Sequence, residues 1–538
     1  MSTESSGHSP SRDSKHVDAV GAKDVTQAGV VEATQPPADR EEQVKRGLQD
    51  RHVLMIAVGG IIGSGFFVGT GAALNTGGPV GLLLGYSAMG LVTYSVIVAV
   101  GEIAALFPLS GGFVYHATRF CDESLGFAVG WNYWAGLAIT VPAELVAGAL
   151  VISYWDSTTN VAVWISIFLF AITAVNFCPV RVYGEQEFWM ASLKVLSVVG
   201  LLLAGIVIDL GGTPTKDRLG FRYWLDPGPF AQLDDIPGAL GRFLAFWSTF
   251  LNSAFSYGGV EVIALSAAES NNPHKTIPRA IKTVFWRILL FYVGGTFVIG
   301  LTVPYTNPNL LSEEESAVAS PFVIALELAG VKSLASVINA YGLAVDGQAP
   351  KLLARVDKRG VPYVSVAFTA LFGCLAYMNL SNSGATVFNW LYTLSAISCI
   401  LAWISILITY LRFRAGYLHQ GIDLSLFPYR APLQPYLTYF GLIMLILITL
   451  FNGFEIFLAG NAPFDASSFV ASYILIPLYI GAFLGRKWWK KNSFVSLDKM
   501  DFSGMRERWE SSDIERSVDD VKKPLAKRMQ GWAKAAWQ

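Results

Sequence analysis

Apolar residues along this chain come in long unbroken blocks, with the charges confined to the gaps between them. Residues 52–101, 288–312, 360–411, 431–454 and 466–485 contain no Asp, Glu, Lys or Arg. Each block supplies one or two helices of about 20 residues, the length that crosses the hydrocarbon core of a bilayer. The pattern predicts spans near 53–75, 79–107, 126–153, 160–178, 188–210, 245–269, 285–305, 362–380, 388–410, 436–452 and 468–485. A transmembrane barrel needs strands that alternate apolar and polar residues, and these runs are continuous. The expected class is an all-α polytopic membrane protein.

Lys and Arg in short loops mark the cytoplasmic side. Lys45, Arg46 and Arg51 precede span one, Arg181 follows span four, and Lys275, Arg279 and Lys282 follow span six, so these places are expected inside. Glu313, Glu314 and Glu315 have no basic neighbour in 311–320, as in an outer loop, whereas Lys351, Arg355, Lys358 and Arg359 point inside again. One crossing must lie between them. The available stretch is interrupted by Glu327, Gly330 and Lys332, which leaves only residues 333–345 uncharged. Such a run rises about 20 Å, short of a core about 30 Å thick. With this short eighth span the count is twelve, and both polar ends are cytoplasmic: a tail at 1–51, a transmembrane domain at 52–485 and a tail at 486–538.

Composition sharpens the picture. Of 538 residues, 53% are hydrophobic and 15% charged, against roughly 25% charged in an average soluble domain. Residues 1–51 hold 16 of the 79 charges and residues 486–538 hold 21, so the 434 residues between them hold 42. Neither tail has the apolar content to bury a core, and both are expected to be solvated and disordered. Trp532 and Trp537, beside Lys527, Arg528 and Lys534, leave open a contact with the inner membrane face. The first 50 residues lack the apolar core of a secretory signal, so insertion is expected to begin with the first span.

A net charge of −1 offers no basic face for phosphates, which excludes nucleic acid as a partner. Cys121, Cys178, Cys374 and Cys399 show no metal-type spacing, and their simplest role is as small buried hydrophobes. His8, His16, His52, His116, His274 and His419 are all expected in tails or loops. With no nucleophile–base pair, metal cluster or phosphate loop at a usable spacing, the chain is not expected to be an enzyme or to need a cofactor.

The chemistry concentrates inside the membrane. Span one holds Gly59, Gly60, Gly63, Gly65, Gly69 and Gly71 within thirteen residues, too many flexible positions for a helix that only crosses lipid. A break near the bilayer centre follows, and unwound backbone is tolerated there only where it lines a cavity or is buried in protein. Freed N–H groups then attract an anion such as a carboxylate. Close packing through small residues is the rival explanation. Span six repeats the device, with Ala254, Phe255, Ser256, Tyr257, Gly258, Gly259, Val260 and Glu261 setting two adjacent glycines and a carboxylate in an apolar run. Two interrupted helices five spans apart suggest an inverted repeat whose breaks meet at the midplane.

Carboxylates inside a membrane are costly, so Glu102, Glu144 and Glu261 are functional candidates, and each is equally open to a structural role. Glu102 lies near the cytoplasmic end of span two, where hydrogen bonding to a neighbouring loop is the simpler expectation. Glu144 and Glu261 sit deeper. Lys194, a lone cation early in span five, either finds oxygen partners or snorkels to the inner surface.

Six passages in order now bear on identity: GGIIGSGFFVGTG at 59–71, GEIAALFP at 101–108, YGEQEFWMASLKV at 183–195, FSYGGVEVIALSAAESNNP at 255–273, YGLAVDGQAPK at 341–351 and RGVPYVSV at 359–366. Together they resemble the fungal, yeast-type amino acid permeases of the amino acid–polyamine–organocation superfamily, over roughly residues 46–490. The resemblance implies twelve helices in a five-plus-five inverted repeat, with helices one and six broken, and proton-driven uptake of amino acids across the plasma membrane. By motif, Gly63, Ser64 and Gly65 would hold the substrate carboxylate, and the carbonyls of Ala254, Phe255 and Ser256 its amino group. Phe255 would also cover the substrate as an aromatic gate. Glu261 would couple protonation to gating, Lys194 would stand where sodium-driven relatives place a cation, touching backbone on spans one and eight, and Glu144 would face the side-chain pocket.

One departure falls at span eight. In the family the chain between SVINA, here 336–340, and YGLA, here 341–344, runs on through a serine-rich helix, whereas here Ala340 joins Tyr341 directly. A skipped exon, an overcalled intron and a genuine short isoform all produce this junction. The expected function is a proton-coupled amino acid permease with transport impaired by the short eighth span, and the alternative is a non-transporting amino acid sensor or regulatory isoform. Expected partners are the amino acid, protons, the lipid bilayer and, on tail lysines such as Lys15, Lys23 and Lys45, the ubiquitin machinery.

Overall fold

The computed structural model describes residues 55, 64–67, 69–108, 111–152, 158–177, 180–212, 218–262, 273–307, 310, 363–381, 383–422, 427, 429–458 and 464–502. Among the described residues every regular element is helical. Six helices there are long and apolar enough to cross a bilayer by length and composition, and a pair bent by 41° makes a further candidate. The all-α polytopic class is thereby borne out. The N-terminal tail at 1–51, Gly63 and the short eighth span at 333–345 lie outside the described residues.

Span one contributes α1, Ser64–Phe67, and leads into α2, Gly69–Leu106. Two helices join across a kink inside α2, where Gly78 takes φ 71 and ψ 173 ahead of Pro79. Proline cannot donate and glycine alone takes this backbone at no cost, so the helix ladder stops where the sequence pattern separates spans one and two. The loop at 229–231 satisfies the opened backbone: Val80 N–H donates to Pro229 O at 2.9 Å and Ala231 N–H to Gly77 O at 3.3 Å.

Then follow α3, Gly112–Phe120, and α4, Glu123–Ile152. Next come α5, Val161–Asn176, whose capping Asn160 side chain accepts from Ala162 N–H, and α6, Val180–Asp209. α7 is Gly238–Tyr257, and α8 runs as Pro273–Arg287, a π-helical turn Ile288–Val293 and Gly294–Thr302. The basic residues Arg279 and Lys282, expected in a loop, therefore lie on a helix that begins well ahead of the apolar run at 285. Its apolar residues Ile277, Ala280, Ile281 and Val284 are buried while Arg279 is exposed, an amphipathic face that a search for uninterrupted apolar runs overlooks.

After the undescribed segment come α9, Tyr363–Phe372, continued by a 3₁₀ turn Gly373–Leu380, and α10, Gly384–His419. The chain then forms α11, Tyr436–Leu450, and the bent pair α12, Ala466–Tyr473, and α13, Leu475–Lys490.

Two helix groups stand out in the packing, although α11 and α10 also pack on α2. α2 packs on α7 and α8, and α4 packs on α10 and α13. Lipid is as apolar as a leucine side chain, so polar contacts between helices matter more for association here than they do in water. Asn132 Nδ2 on α4 donates to Ser398 O on α10, and Ser398 Oγ donates back to Asn132 O, each at 2.8 Å. By contrast α6 leaves Trp189, Leu196 and Leu203 exposed, as a lipid-facing helix would.

Helical structure and packing run past the boundary expected at 485. α13 continues to Lys490, and the chain then folds back until Met500 and Phe502 are only 3% and 8% exposed. Phe502 enters a ring cluster with Phe120 and Phe413, both at 5.7 Å. Val495 N–H donates to Cys121 O at 2.8 Å, and Arg119 Nη2 donates to Asp501 O at 2.7 Å. The charge density of this stretch conceals two side chains that have a core to enter. His116 is likewise not in a loop: it lies buried on α3, with Nε2 2.9 Å from Phe107 O.

Candidate functional site

Span six is broken where its glycines predict. α7 ends at Tyr257, Gly258 leaves helical geometry at φ −54 and ψ 144, and Gly259 takes φ 90. Gly258 N–H closes the end on Phe255 O at 2.9 Å. The carbonyl end of α7 therefore terminates inside the protein, where it presents partial negative charge.

Span one meets this break directly. A Cβ built on Gly65 would lie 2.6 Å from Phe255 Cδ1, 2.9 Å from Ser256 Cα and 3.0 Å from Ser256 N. Backbone thus touches backbone at the point where α7 ends. One turn later Gly69 is looser, its nearest neighbours being Ser256 Oγ at 3.9 Å and Asn252 O at 4.0 Å. Ser64 opens α1, while Gly63 is outside the described residues.

The predicted gate residue Phe255 is buried. It packs in an apolar cluster with Val141 and Leu145 of α4, and its ring lies 4.5 Å from that of Tyr392 on α10. Tyr392 O–H donates to Asn252 Oδ1, one turn back along α7. Behind the break, Tyr292 O–H donates to Ser256 O at 2.9 Å, and Tyr86 and Ser256 share a hydroxyl hydrogen bond of 2.8 Å. Ser256 O accepts from Tyr292 and Phe255 O from Gly258 N–H, and each carbonyl oxygen carries two lone pairs.

Glu261 is 1% exposed, just past the break. Its Oε2 accepts from Trp403 Nε1 on α10 at 2.8 Å, and Cys399 Sγ lies 4.0 Å from Oε1. Lys194 is buried on α6 at 4% exposure, and the parts of spans one and eight expected beside it lie outside the described residues. Glu144 sits partly buried on α4, one turn from the Val141 that packs near Phe255. The structure therefore brings Gly65, Phe255 and Ser256 together and sets Glu261 close by on the same broken segment, with Glu144 and Lys194 carried on α4 and α6.

Sequence reasoning overlooks Tyr86, Asn252, Tyr292, Tyr392 and Trp403. Their one signal is a hydroxyl, amide or indole N–H inside an apolar run, a group that needs a partner when buried. Which partner it finds is set by packing between distant helices.

The sequence profile of the amino acid permeases matches residues 52–344 and 340–499. The dicarboxylic amino acid permease of Saccharomyces cerevisiae is 40% identical over 512 residues, covering 90% of this chain and 84% of that protein. The proline-specific permease of Emericella nidulans is 40% identical over 503 residues, 88% of this chain and 91% of the relative. The lysine-specific permease of S. cerevisiae is 37% identical over 524 residues, 92% and 83% respectively. Among solved structures, a manganese transporter of Eremococcus coleocola superposes with a TM-score of 0.52 at 12% identity, covering 82% of this chain and 93% of that one. That likeness speaks to fold alone.

Proposed function

We propose that this chain, which belongs to the amino acid permease family, carries amino acids into the cell across the plasma membrane by alternating access, driven by protons, with both termini cytoplasmic. The observation that carries the proposal is the contact of Gly65 with the carbonyl end of α7 at Phe255 and Ser256. A zwitterion needs donors for its carboxylate and acceptors for its ammonium within a few ångströms of each other. Backbone N–H groups around Gly63, Ser64 and Gly65 supply the first set, and the carbonyls of Ala254, Phe255 and Ser256 supply the second.

Phe255, its ring tilted against that of Tyr392, covers the substrate. Glu144 faces its side chain, and Glu261 with Lys194 couples proton movement to the change of access. The relatives are named for dicarboxylic amino acids, proline and lysine, so side-chain choice is set around a shared backbone site, and broad neutral specificity is the default for this chain. Tail lysines Lys15, Lys23 and Lys45 would receive ubiquitin for endocytic control.

The two pieces of the family match meet at 340–344, the place where Ala340 joins Tyr341. This junction also favours a second role, as an amino acid sensor or regulatory isoform that binds without flux. Uptake of labelled amino acids into permease-deficient cells, with and without a proton gradient, separates the two. Gradient-dependent accumulation supports the carrier. Binding without uptake supports the sensor, and uptake indifferent to the gradient removes the proton.

A further inference from the structure

The helix group of α2 and α7 presents two carboxylates to one stripe of α10. Trp403 and Tyr410 lie seven residues apart, two turns on the same helical face. Trp403 engages Glu261 beyond the α7 break, as described above. Tyr410 engages Glu102, which is 3% exposed about one turn from the end of α2. Glu102 Oε2 accepts Tyr410 O–H at 3.0 Å and also Ala431 N–H, from the link between α10 and α11, at 2.6 Å. Arg414 and Arg430 stand within the field of this carboxylate, and Tyr417, Tyr429 and Tyr410 are the other titratable groups around it.

We propose that Glu102 is the positioning residue of an inner lock, which ties α2 to α10 and to the link before α11 and must break before the substrate site opens to the cytoplasm. The proposal rests on the transport role above. In inverted-repeat carriers one helix group rocks against the other, and α2 belongs to the group that contains the α7 break. Tyr410 is carried by α10, so a separation of α2 from α10 takes its O–H from the carboxylate and pulls on the bond to Ala431, whose link joins α10 to α11, a helix that also packs on α2. Hydrogen bonds to a charged acceptor are the stronger kind, and a buried carboxylate stripped of its donors is costly until water reaches it. The contact therefore has two states, closed and dry or open and wet, as a lock requires.

The test uses the full chain in cells lacking their own permeases. Glu102→Gln keeps the shape of the side chain and removes the charge, and Tyr410→Phe removes one O–H. Ala99→Cys places a reporter thiol three residues inward on the same face of α2, at a position that is 0% exposed. In permeabilised cells a membrane-impermeant maleimide should modify that thiol slowly when the lock is intact. Modification should be several-fold faster with either lock substitution, and combining the two should add little more. In intact cells both substitutions should raise KM by one common factor for every amino acid carried, because the outward-facing population falls, while the maximum rate per surface copy changes less. A thiol rate unmoved by Glu102→Gln overturns the lock, as does a loss of surface protein at unchanged KM, which is the mark of a merely structural role. If the parent chain takes up no amino acid, the transport role fails, and the thiol rates still decide for or against the lock.

Discussion

Gly65→Ala is the sharpest perturbation of the substrate site, because the added methyl has nowhere to go. It would stand 2.6 Å from Phe255 Cδ1, 2.9 Å from Ser256 Cα and 3.0 Å from Ser256 N, and two of those three atoms are backbone. A flexible side chain yields to such an intrusion, whereas backbone at a helix end moves only if α7 shifts. Overpacking of this kind costs about 1–3 kcal/mol, which corresponds to roughly a 5- to 150-fold loss when it falls on substrate capture. Gly69→Ala supplies the control, since its methyl meets nothing closer than 3.9 Å and alanine favours the helix more than glycine does. Initial uptake rates of a transported amino acid, normalised to surface protein, should therefore fall steeply for Gly65→Ala and stay near the parent for Gly69→Ala. Equal uptake by both variants, at equal surface amounts, would refute the claim that this close approach forms the site.

Two further predictions follow from the same contacts. Trp403→Phe removes the N–H that reaches Glu261 at 2.8 Å, a hydrogen bond to a charged acceptor of about 1.5–3 kcal/mol. Concentrative uptake should drop while exchange of labelled for unlabelled amino acid persists, and equal loss of both would count against a coupling role for Glu261. Burial pushes the His116 imidazole down to about 4, so between pH 6.5 and that value the unfolded chain binds a proton that the folded chain does not. Stability is therefore full above pH 6.5 and is lost as pH falls through that window, by about 2 kcal/mol on reaching pH 5. Thermal melts of the purified protein should show that slope, and His116→Gln should flatten it. A slope that survives the substitution assigns the effect to another group.

How much of this is legible in the sequence depends on whether the governing interaction is local. A charge-free run announces a span by itself, and the starts of α10 and α11 lie within four residues of those expected. The Gly258–Gly259 break is equally local, because adjacent glycines in an apolar run remove the reason to stay helical. Glu102 was expected to bond to a neighbouring loop, and its acceptance of Ala431 N–H accords with that, although nothing in the sequence names Ala431. The remaining partners are non-local. Tyr292 is 36 residues beyond the Ser256 carbonyl it bonds, and Trp403 is 142 residues beyond Glu261, so only the packed fold pairs them. The turn-back at 492–502 is hidden for a different reason: it follows the basic run Arg486, Lys487, Lys490 and Lys491, and the burial of Phe502 depends on an aromatic pocket built by α3 and α10.

The central claim is that main-chain groups at two helix breaks hold the charged ends of an amino acid whatever its side chain. Competition against uptake of a transported amino acid measures this most directly, with the corresponding amine lacking the α-carboxylate and the corresponding acid lacking the α-amino group as competitors. The unlabelled amino acid should compete at its own KM and neither truncated analogue should compete at concentrations far above it. Effective competition by either analogue would contradict the account.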